Sequence, residues 1–178
     1  MTPEDVLAFW RAAGEGKWFT RDAVFDGAMS VRFKDALAKA RDGAFDDWAE
    51  TPSGALALVI LLDQFSRNIH RGTPLAFAAD RKALALAKDV IARGHHQAMP
   101  AIRSRWFVMP FEHAEDLEAQ MRGVSLLLTM GFSDLAWWAK VHLDIIARFG
   151  RFPHRNPILG RRSTPEELAF LASGGFAG

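Results

Sequence analysis

Residues 55–62 read ALALVILL, a run of eight residues without a polar side chain. A helix that is apolar on every face belongs in a protein interior, because it leaves no polar face for water. The run is far shorter than the ~20 residues that span a bilayer. It therefore predicts a central helix that is buried on every side, with further helices around it.

Helix signals dominate on both sides of this run. Thr-Pro pairs at Thr2, Thr73 and Thr164 each precede a periodic apolar segment, and threonine caps free backbone N–H groups where proline fits the first turn. We predict helices near residues 3–13, 21–42, 53–68, 74–93, 110–130, 134–149 and 165–173. No segment has the two-residue alternation of a strand. The sequence therefore predicts an all-α fold of antiparallel helical hairpins, an array of about seven helices.

Length and composition set further limits. The 178 residues are expected to form a single helical domain, residues 1–178. The lack of cysteine excludes disulfides and thiolate metal sites. A net charge of +1 is no general signature of nucleic-acid binding. The first residues, MTPEDVLAFW, are acidic where a signal peptide would be basic. We expect a cytoplasmic protein without nucleic-acid or membrane partners.

Two predicted helices carry a histidine on an otherwise apolar stripe. The expected core-facing residues follow helical spacing. In helix 110–130 they are Leu117, Met121, Val124 and Leu128, and in helix 134–149 they are Leu135, Trp138, His142, Ile145 and Phe149. His113 lies one turn before the first stripe. Adjacent Trp137 and Trp138 cannot face the same way, so one of them is a candidate for the site or for a contact with a protein partner or second copy.

The first polar constellation follows the apolar run directly, at residues 63–68 (DQFSRN). Asp63 and Arg67 are four residues apart and share a helix face, as do Gln64 and Asn68. An acid near a helix C-terminus opposes the helix dipole, so Asp63 should have a cationic partner. The group is either an ion pair that anchors the helix end or a set of ligand contacts.

The second constellation is acidic, at residues 112–118 (EHAEDLE). The helix dipole alone favours acids in a first turn, which would explain Glu112 and Glu115. It does not explain His113 and Asp116, which lie beside the apolar stripe. The group is either a buried histidine held by a carboxylate or a site histidine oriented by one.

The third constellation, residues 148–162, contains five arginines and one histidine and no acid. Its prolines and glycines predict a structured loop. Interleaved apolar residues should carry some arginines inward, and arginine is suited to bidentate capture of carboxylate or phosphate. The arginines either pair with the acids of the other constellations or are partly available to a ligand.

Several chemistries lack their motifs. The sequence has no HExxH and no Glu-x-x-His pair, and the arginines would repel a cation, so we expect no metal. It also has no serine elbow and no glycine-rich phosphate loop, and we expect no cofactor.

In and around the three constellations, the sequence resembles the bacterial domain-of-unknown-function family 924. The resemblance covers nearly the whole chain and is strongest at residues 56–80, 107–120 and 142–171. Its most specific stretch is FGRFPHRN at residues 149–156. Ser66 and Ala114 stand where the family commonly has proline and serine. The resemblance implies a tetratricopeptide-like helical fold and carries no established reaction.

Three functions remain open at this point. The first is binding of a small anion or an acidic peptide end in a polar pocket. Its expected ligand-binding residues are Arg67, Asn68, Arg151, Arg155, Asn156, Asp63 and His142. The second is an enzyme of hydrolase or lyase type, with His113 or His154 as acid or base, Glu112 or Asp116 tuning it, and arginines stabilising an anion. The third is a purely structural salt-bridge network in an interaction scaffold.

Overall fold

A computed structural model of the chain describes residues 1–176, and within that range all regular structure is helical. This confirms the all-α prediction. The α-helices, numbered α1–α11, are Pro3–Ala13, Glu15–Trp18, Ala23–Arg41, Pro52–Ile60, Ser66–Ile69, Asp80–Ala92, Ala101–Ser104, Met109–Glu112, Leu117–Thr129, Ser133–Phe149 and Pro165–Ala172. A tetratricopeptide-like arrangement of these helices stays a prediction.

Backbone contacts divide the chain into two compact units. The first comprises Met1–Arg71 and Leu75–Pro110, and the second comprises Gly72–Pro74 and the described residues from Phe111 onward. A single domain over residues 1–178 stays a prediction.

The apolar run forms the centre of the first unit, as predicted. Helices α4 and α5 are joined by a π-helical segment, Leu61–Phe65, into one continuous helix. All eight residues of the run are buried, none more than 3% exposed. Thr51 caps the start of α4 by accepting a hydrogen bond from the Gly54 N–H. A Cβ at position 54 would lie 2.3 Å from the Trp48 carbonyl oxygen, so this close turn requires glycine.

In the second unit, α9 and α10 pack against each other as a helical hairpin. The prediction of one helix over 110–130 is wrong, because α8 ends at Glu112 and α9 begins at Leu117. Asp116 is the N-cap of α9, and its carboxylate accepts a hydrogen bond from the Ala119 N–H at 2.7 Å. A cap can start a new helix inside a periodic pattern, because it satisfies the free N–H groups of the first turn.

The predicted core stripes are partly wrong. Leu117, Met121, Leu128 and Trp138 are all exposed by 45–57%. The buried face of α9 instead contains Ala119, Gln120, Gly123 and Leu127. A Cβ at position 123 would lie 3.0 Å from Phe111 Cβ, so small residues permit the close approach. The helix therefore packs through its small face and not through its most apolar stripe.

The remaining boundaries differ in smaller ways. Helix α6 begins at Asp80, and a short 3₁₀ turn, Pro74–Phe77, takes the place of the first part of predicted helix 74–93. The arginine-rich segment is a loop with one 3₁₀ turn, Pro153–Arg155, as expected. Helix α11 begins with a capping box in which Thr164 and Glu167 satisfy each other's backbone N–H groups.

Candidate functional site

The predicted site residues occur in both units. Asp63, Arg67 and Asn68 belong to the first unit. The other eight belong to the second unit and are Glu112, His113, Asp116, His142, Arg151, His154, Arg155 and Asn156.

In the first unit the π segment carries a buried ion-pair network. Asp63 is 1% exposed, and its Oδ1 lies 3.0 Å from Arg67 Nη1. Arg67 Nη2 donates to Asp80 Oδ2 at 3.0 Å. Burial opposes the charge of Arg67, but the Asp63 and Asp80 carboxylates outweigh it and raise the pKa of the guanidinium. Arg67 is thus the cationic partner that Asp63 was expected to need.

Asn68 extends this network to α3. Its amide donates to Asp26 Oδ1 at 2.7 Å, and Arg71 Nε donates to Asp26 Oδ2 at 2.7 Å. The side-chain donors of Arg67 and Asn68 are therefore engaged with carboxylates of their own unit. This arrangement fits the structural interpretation of the first constellation.

In the second unit the arginines also meet carboxylates. Arg161 forms a bidentate pair with Glu115, with N–O distances of 2.5 and 2.9 Å. Glu115 Oε1 also accepts the Phe152 N–H at 2.8 Å, which ties the loop to the segment before α9. Although burial raises the pKa of Glu115, these hydrogen bonds outweigh it and lower the pKa below its usual value.

A second bidentate pair joins Arg151 to Glu167 of α11. Arg151 donates to the two carboxylate oxygens of Glu167 at 2.6 and 2.9 Å. Buried Asn156 donates to Glu167 at 3.2 Å and accepts from Arg161 Nε at 2.9 Å. The hydrogen bonds from Arg151 lower the pKa of Glu167 to about 2. Arg151 and Asn156 are therefore part of a connected network that holds the loop.

Two further predicted site residues lie elsewhere in this unit. Asp116 is exposed and caps α9. His113 is half-buried and follows α8 directly.

A pair of histidines has unused hydrogen-bonding capacity. His142 of α10 and His154 of the loop each bury Nδ1, and neither Nδ1 has a hydrogen-bond partner among residues 1–176. The Phe176 ring lies 4.6 Å from the His142 ring and 5.5 Å from the His154 ring, between centroids. Phe152 lies 5.7 and 5.6 Å from the same two rings. The two imidazoles thus share two phenylalanine neighbours.

The surroundings of His154 keep it neutral. Burial, followed by the positive charge of Arg155, lowers the pKa of His154 to about 4. Arg155 is 6% exposed, and its Cζ lies 4.4 Å from the centroid of the Phe152 ring. His154 therefore offers a neutral imidazole beside a buried guanidinium at pH 7.

Glu112 lies behind His142. The distance from Glu112 Oε2 to His142 Nδ1 is 3.6 Å, longer than a hydrogen bond. Glu112 itself is 6% exposed.

Across residues 1–176, no three His, Asp or Glu side chains are grouped so that they could hold a metal ion. The same residues include no helix that is long and apolar enough to cross a membrane.

Several participants in this unit were not predicted as site residues: Glu115, Phe152, Arg161, Glu167 and Phe176. Glu167, which binds Arg151, had a signal only as part of the Thr164 capping box. Phe176 had no signal, because nothing local relates a residue near the C-terminus to a histidine of α10.

The chain was compared with known proteins. A protein of unknown function from Agrobacterium tumefaciens has a solved structure that matches with a TM-score of 0.92 and 45% sequence identity, covering 97% of both chains. No curated protein matched. The model of the family described as "Bacterial protein of unknown function (DUF924)" matches residues 6–175. The chain therefore belongs to this bacterial family.

Proposed function

We propose that the second unit binds a small anion, a carboxylate or a phosphate, at His154, with His142 beside it. The observation that carries the proposal is the buried Nδ1 of His154, which has no hydrogen-bond partner among residues 1–176. Leaving such a group unpaired costs about 1–3 kcal/mol. A ligand oxygen that accepted a hydrogen bond from this ring would recover that cost.

The charges around His154 favour an anionic ligand over a neutral one. Arg155, His142 and Arg161 disfavour the protonated ring and Glu115 favours it, so positive charge prevails around His154. Of the two arginines, Arg155 disfavours the protonated ring of His154 more strongly. The carboxylate of an acidic peptide end has the same chemistry as a small organic acid.

We include a cytoplasmic location in the proposal, because the chain has no cysteine.

Binding of an anion should be linked to proton uptake. The free protein has a His154 pKa of about 4, and an anion beside the ring would raise that pKa by favouring the imidazolium. Affinity should therefore rise as the pH falls from 7 towards 5, by up to about tenfold per pH unit. With acetate, which remains mostly ionised between pH 5.5 and 7.5, arginine contacts alone would give no such dependence, because arginine stays protonated.

The test is a thermal-shift and calorimetric titration of the whole chain with phosphate, acetate and citrate at pH 5.5 and 7.5. Saturation near 100 times Kd stabilises by about 2.7 kcal/mol, a Tm increase of roughly 5–10 °C. We expect His154→Gln to abolish both the shift and its pH dependence. His96→Gln is the matched control, since His96 also has a buried Nδ1 without a hydrogen-bond partner among residues 1–176, and burial lowers its pKa too, but it lies in the first unit.

Three outcomes would overturn the proposal. One is the absence of a shift with every anion at both pH values. Another is binding that His154→Gln leaves unchanged. Equal losses in His154→Gln and His96→Gln would also contradict it, because they would report a global effect on the fold.

A second candidate function is acid–base catalysis by His142. The observation that favours it is the Glu112 carboxylate 3.6 Å from His142 Nδ1, because a carboxylate behind a histidine can orient the ring for proton transfer. If this pair is catalytic, the wild type hydrolyses some carboxylic or phosphoric esters, and Glu112→Gln lowers kcat while anion binding at His154 persists. A panel of chromogenic esters with no turnover by the wild type would contradict this candidate.

A further inference from the structure

The first unit contains a second cluster with unused hydrogen-bond donors. We call it the tryptophan cluster, and it consists of Trp10, Trp18, Phe19 and Trp106 around Arg105. The centroid of the Trp106 indole lies 5.2 Å from Trp10, 5.1 Å from Trp18 and 5.7 Å from Phe19. Phe19 is 65% exposed, so the cluster reaches solvent on that side.

Arg105 is buried against two of these rings. The residue is 8% exposed, and its Cζ lies 5.1 Å from the Trp18 centroid and 5.2 Å from the Trp106 centroid. It forms an ion pair with Glu15 through Nη2, at 3.3 Å. The Glu15 side chain is 71% exposed, and an ion pair with so exposed a partner is weak. The guanidinium therefore lacks a strong buried counter-charge in this pairing.

Two buried N–H donors of the cluster are unpaired. Arg105 Nε and Trp10 Nε1 have no hydrogen-bond acceptor among residues 1–176. Trp18 shows the contrast, because its Nε1 donates to the Trp10 carbonyl oxygen at 2.7 Å. The ring faces nearby are only weak acceptors and do not replace an oxygen. Both unpaired donors belong to side chains that lie against Trp18 and Trp106.

We propose that the tryptophan cluster is a binding site for an aromatic carboxylate. Each unpaired group is a donor without acceptor capacity, so a ligand must bring oxygens. The positive charge of Arg105 selects an anion, and its planar fork fits a carboxylate. The surrounding indole and phenyl rings select a flat apolar body, because offset or edge-on ring contacts add to the burial of apolar area.

This site is independent of the anion site at His154. All of its residues belong to the first unit, whereas His154 belongs to the second. Either proposal can fail alone.

The test is a titration of the ¹⁵N-labelled whole chain with benzoate, followed by the indole and guanidinium N–H resonances. We expect saturable downfield shifts of Trp10 Nε1–H and Arg105 Nε–H, identified with Trp10→Phe and Arg105→Lys. Arg105→Lys keeps the charge but removes the Nε donor, and it should weaken binding about tenfold or more. Glu15→Gln should strengthen binding, because it removes a competing carboxylate. Arg148→Gln, at an exposed arginine of the second unit, should leave it unchanged.

Acetate, a carboxylate without a ring, tests whether the site selects an aromatic ligand. Acetate should bind the cluster more weakly than benzoate, since it has no ring to contact the indoles. Equal affinity for acetate and benzoate would overturn the assignment of an aromatic ligand. Unmoved resonances under saturating benzoate, or undiminished binding in Trp10→Phe, would overturn the site itself. If Arg105→Lys unfolds, the Trp10→Phe titration decides the matter alone.

Discussion

The π segment of the first unit and the histidine pair of the second are both polar groups beside buried apolar surface, but their hydrogen bonding differs. Asp63 and Arg67 lie 3.0 Å apart, and Arg67 reaches Asp80 at the same distance. His142 and His154 each keep a buried Nδ1 without a hydrogen-bond partner among residues 1–176. The first region therefore behaves as a closed structural network, whereas the second contains buried ring nitrogens that no described residue pairs.

The arginine-rich loop shows the same difference at closer range. Its arginines suggested an anion site. The guanidinium groups of Arg151 and Arg161, however, pair with the carboxylates of Glu167 and Glu115. The unused capacity belongs to the histidine within the same loop. A high local density of arginine thus indicates where carboxylates gather, and the partners of each group decide whether the carboxylates come from the protein or from a ligand.

The largest effect is expected from removing Arg67 from the buried ion-pair network of the π segment. Arg67→Leu removes the guanidinium that lies 3.0 Å from the carboxylate of Asp63, which is 1% exposed. Breaking a buried pair from one side costs about 3–5 kcal/mol. Urea unfolding at pH 7 should show this loss, and Arg67→Lys should lose less because it keeps a charge. A loss below about 1 kcal/mol in Arg67→Leu would contradict the description of the π segment as a closed network.

The burial of His154 should make the stability of the protein depend on pH. The pKa of His154 is lowered from 6.5 to about 4, so between these values the unfolded chain binds a proton that the folded chain does not. The stability from this group is present above pH 6.5 and lost as the pH falls towards 4, by about 2–3 kcal/mol. Urea unfolding from pH 4.5 to 7.5 should show a shallower loss in His154→Gln than in the wild type. Parallel curves for the two proteins would contradict the assignment.

A smaller effect is expected where the loop joins α11. Glu167→Gln keeps the shape of the side chain and removes the charge that binds Arg151, at a cost of about 2 kcal/mol at pH 7. The native carboxyl has a pKa of about 2, below its usual 4.5, so its contribution is present above pH 4.5 and lost as the pH falls through 2. The difference in unfolding free energy between wild type and variant should therefore shrink with acid. A difference that stays constant down to pH 2 would contradict this account.

The smallest effect is expected at the surface of the same unit. Arg148 pairs with Glu166, but the two side chains are 53% and 63% exposed. Exposed ion pairs contribute about 0–1 kcal/mol. Arg148→Gln should change the unfolding free energy by less than that and should leave anion binding intact. A large loss of unfolding free energy in Arg148→Gln would contradict the distinction between exposed and buried ion pairs.

Local signals predicted much of the fold. Thr2 and Thr164 both cap their helices, and the helix predicted over 134–149 begins only one residue earlier, at Ser133. Caps and apolar runs act over a few residues, so the sequence contains them directly. The apolar period also extended across the break before α9, however, and it could not reveal that Asp116 starts a new helix.

Other features depend on packing and had no local signal. The buried face of α9 is decided by the fit of Ala119 and Gly123, whereas the apolar stripe predicted the opposite exposure for Leu117. For the candidate site, the sequence singled out His142 and His154 but not the state of their nitrogens. The pairing of Arg161 with Glu115 joins residues 46 positions apart, and no spacing rule reports such a contact.

The π segment Leu61–Phe65 has a consequence for how this helix tolerates changes in length. A π turn accommodates one residue more than an α turn, so it acts as a built-in insertion within a helix of 3.6 residues per turn. Without that residue, every side chain after Phe65 would rotate by about 100° about the helix axis. Arg67 and Asn68 would then leave the faces on which Asp80 and Asp26 meet them. A single-residue deletion at this point would thus redirect side chains that it does not remove.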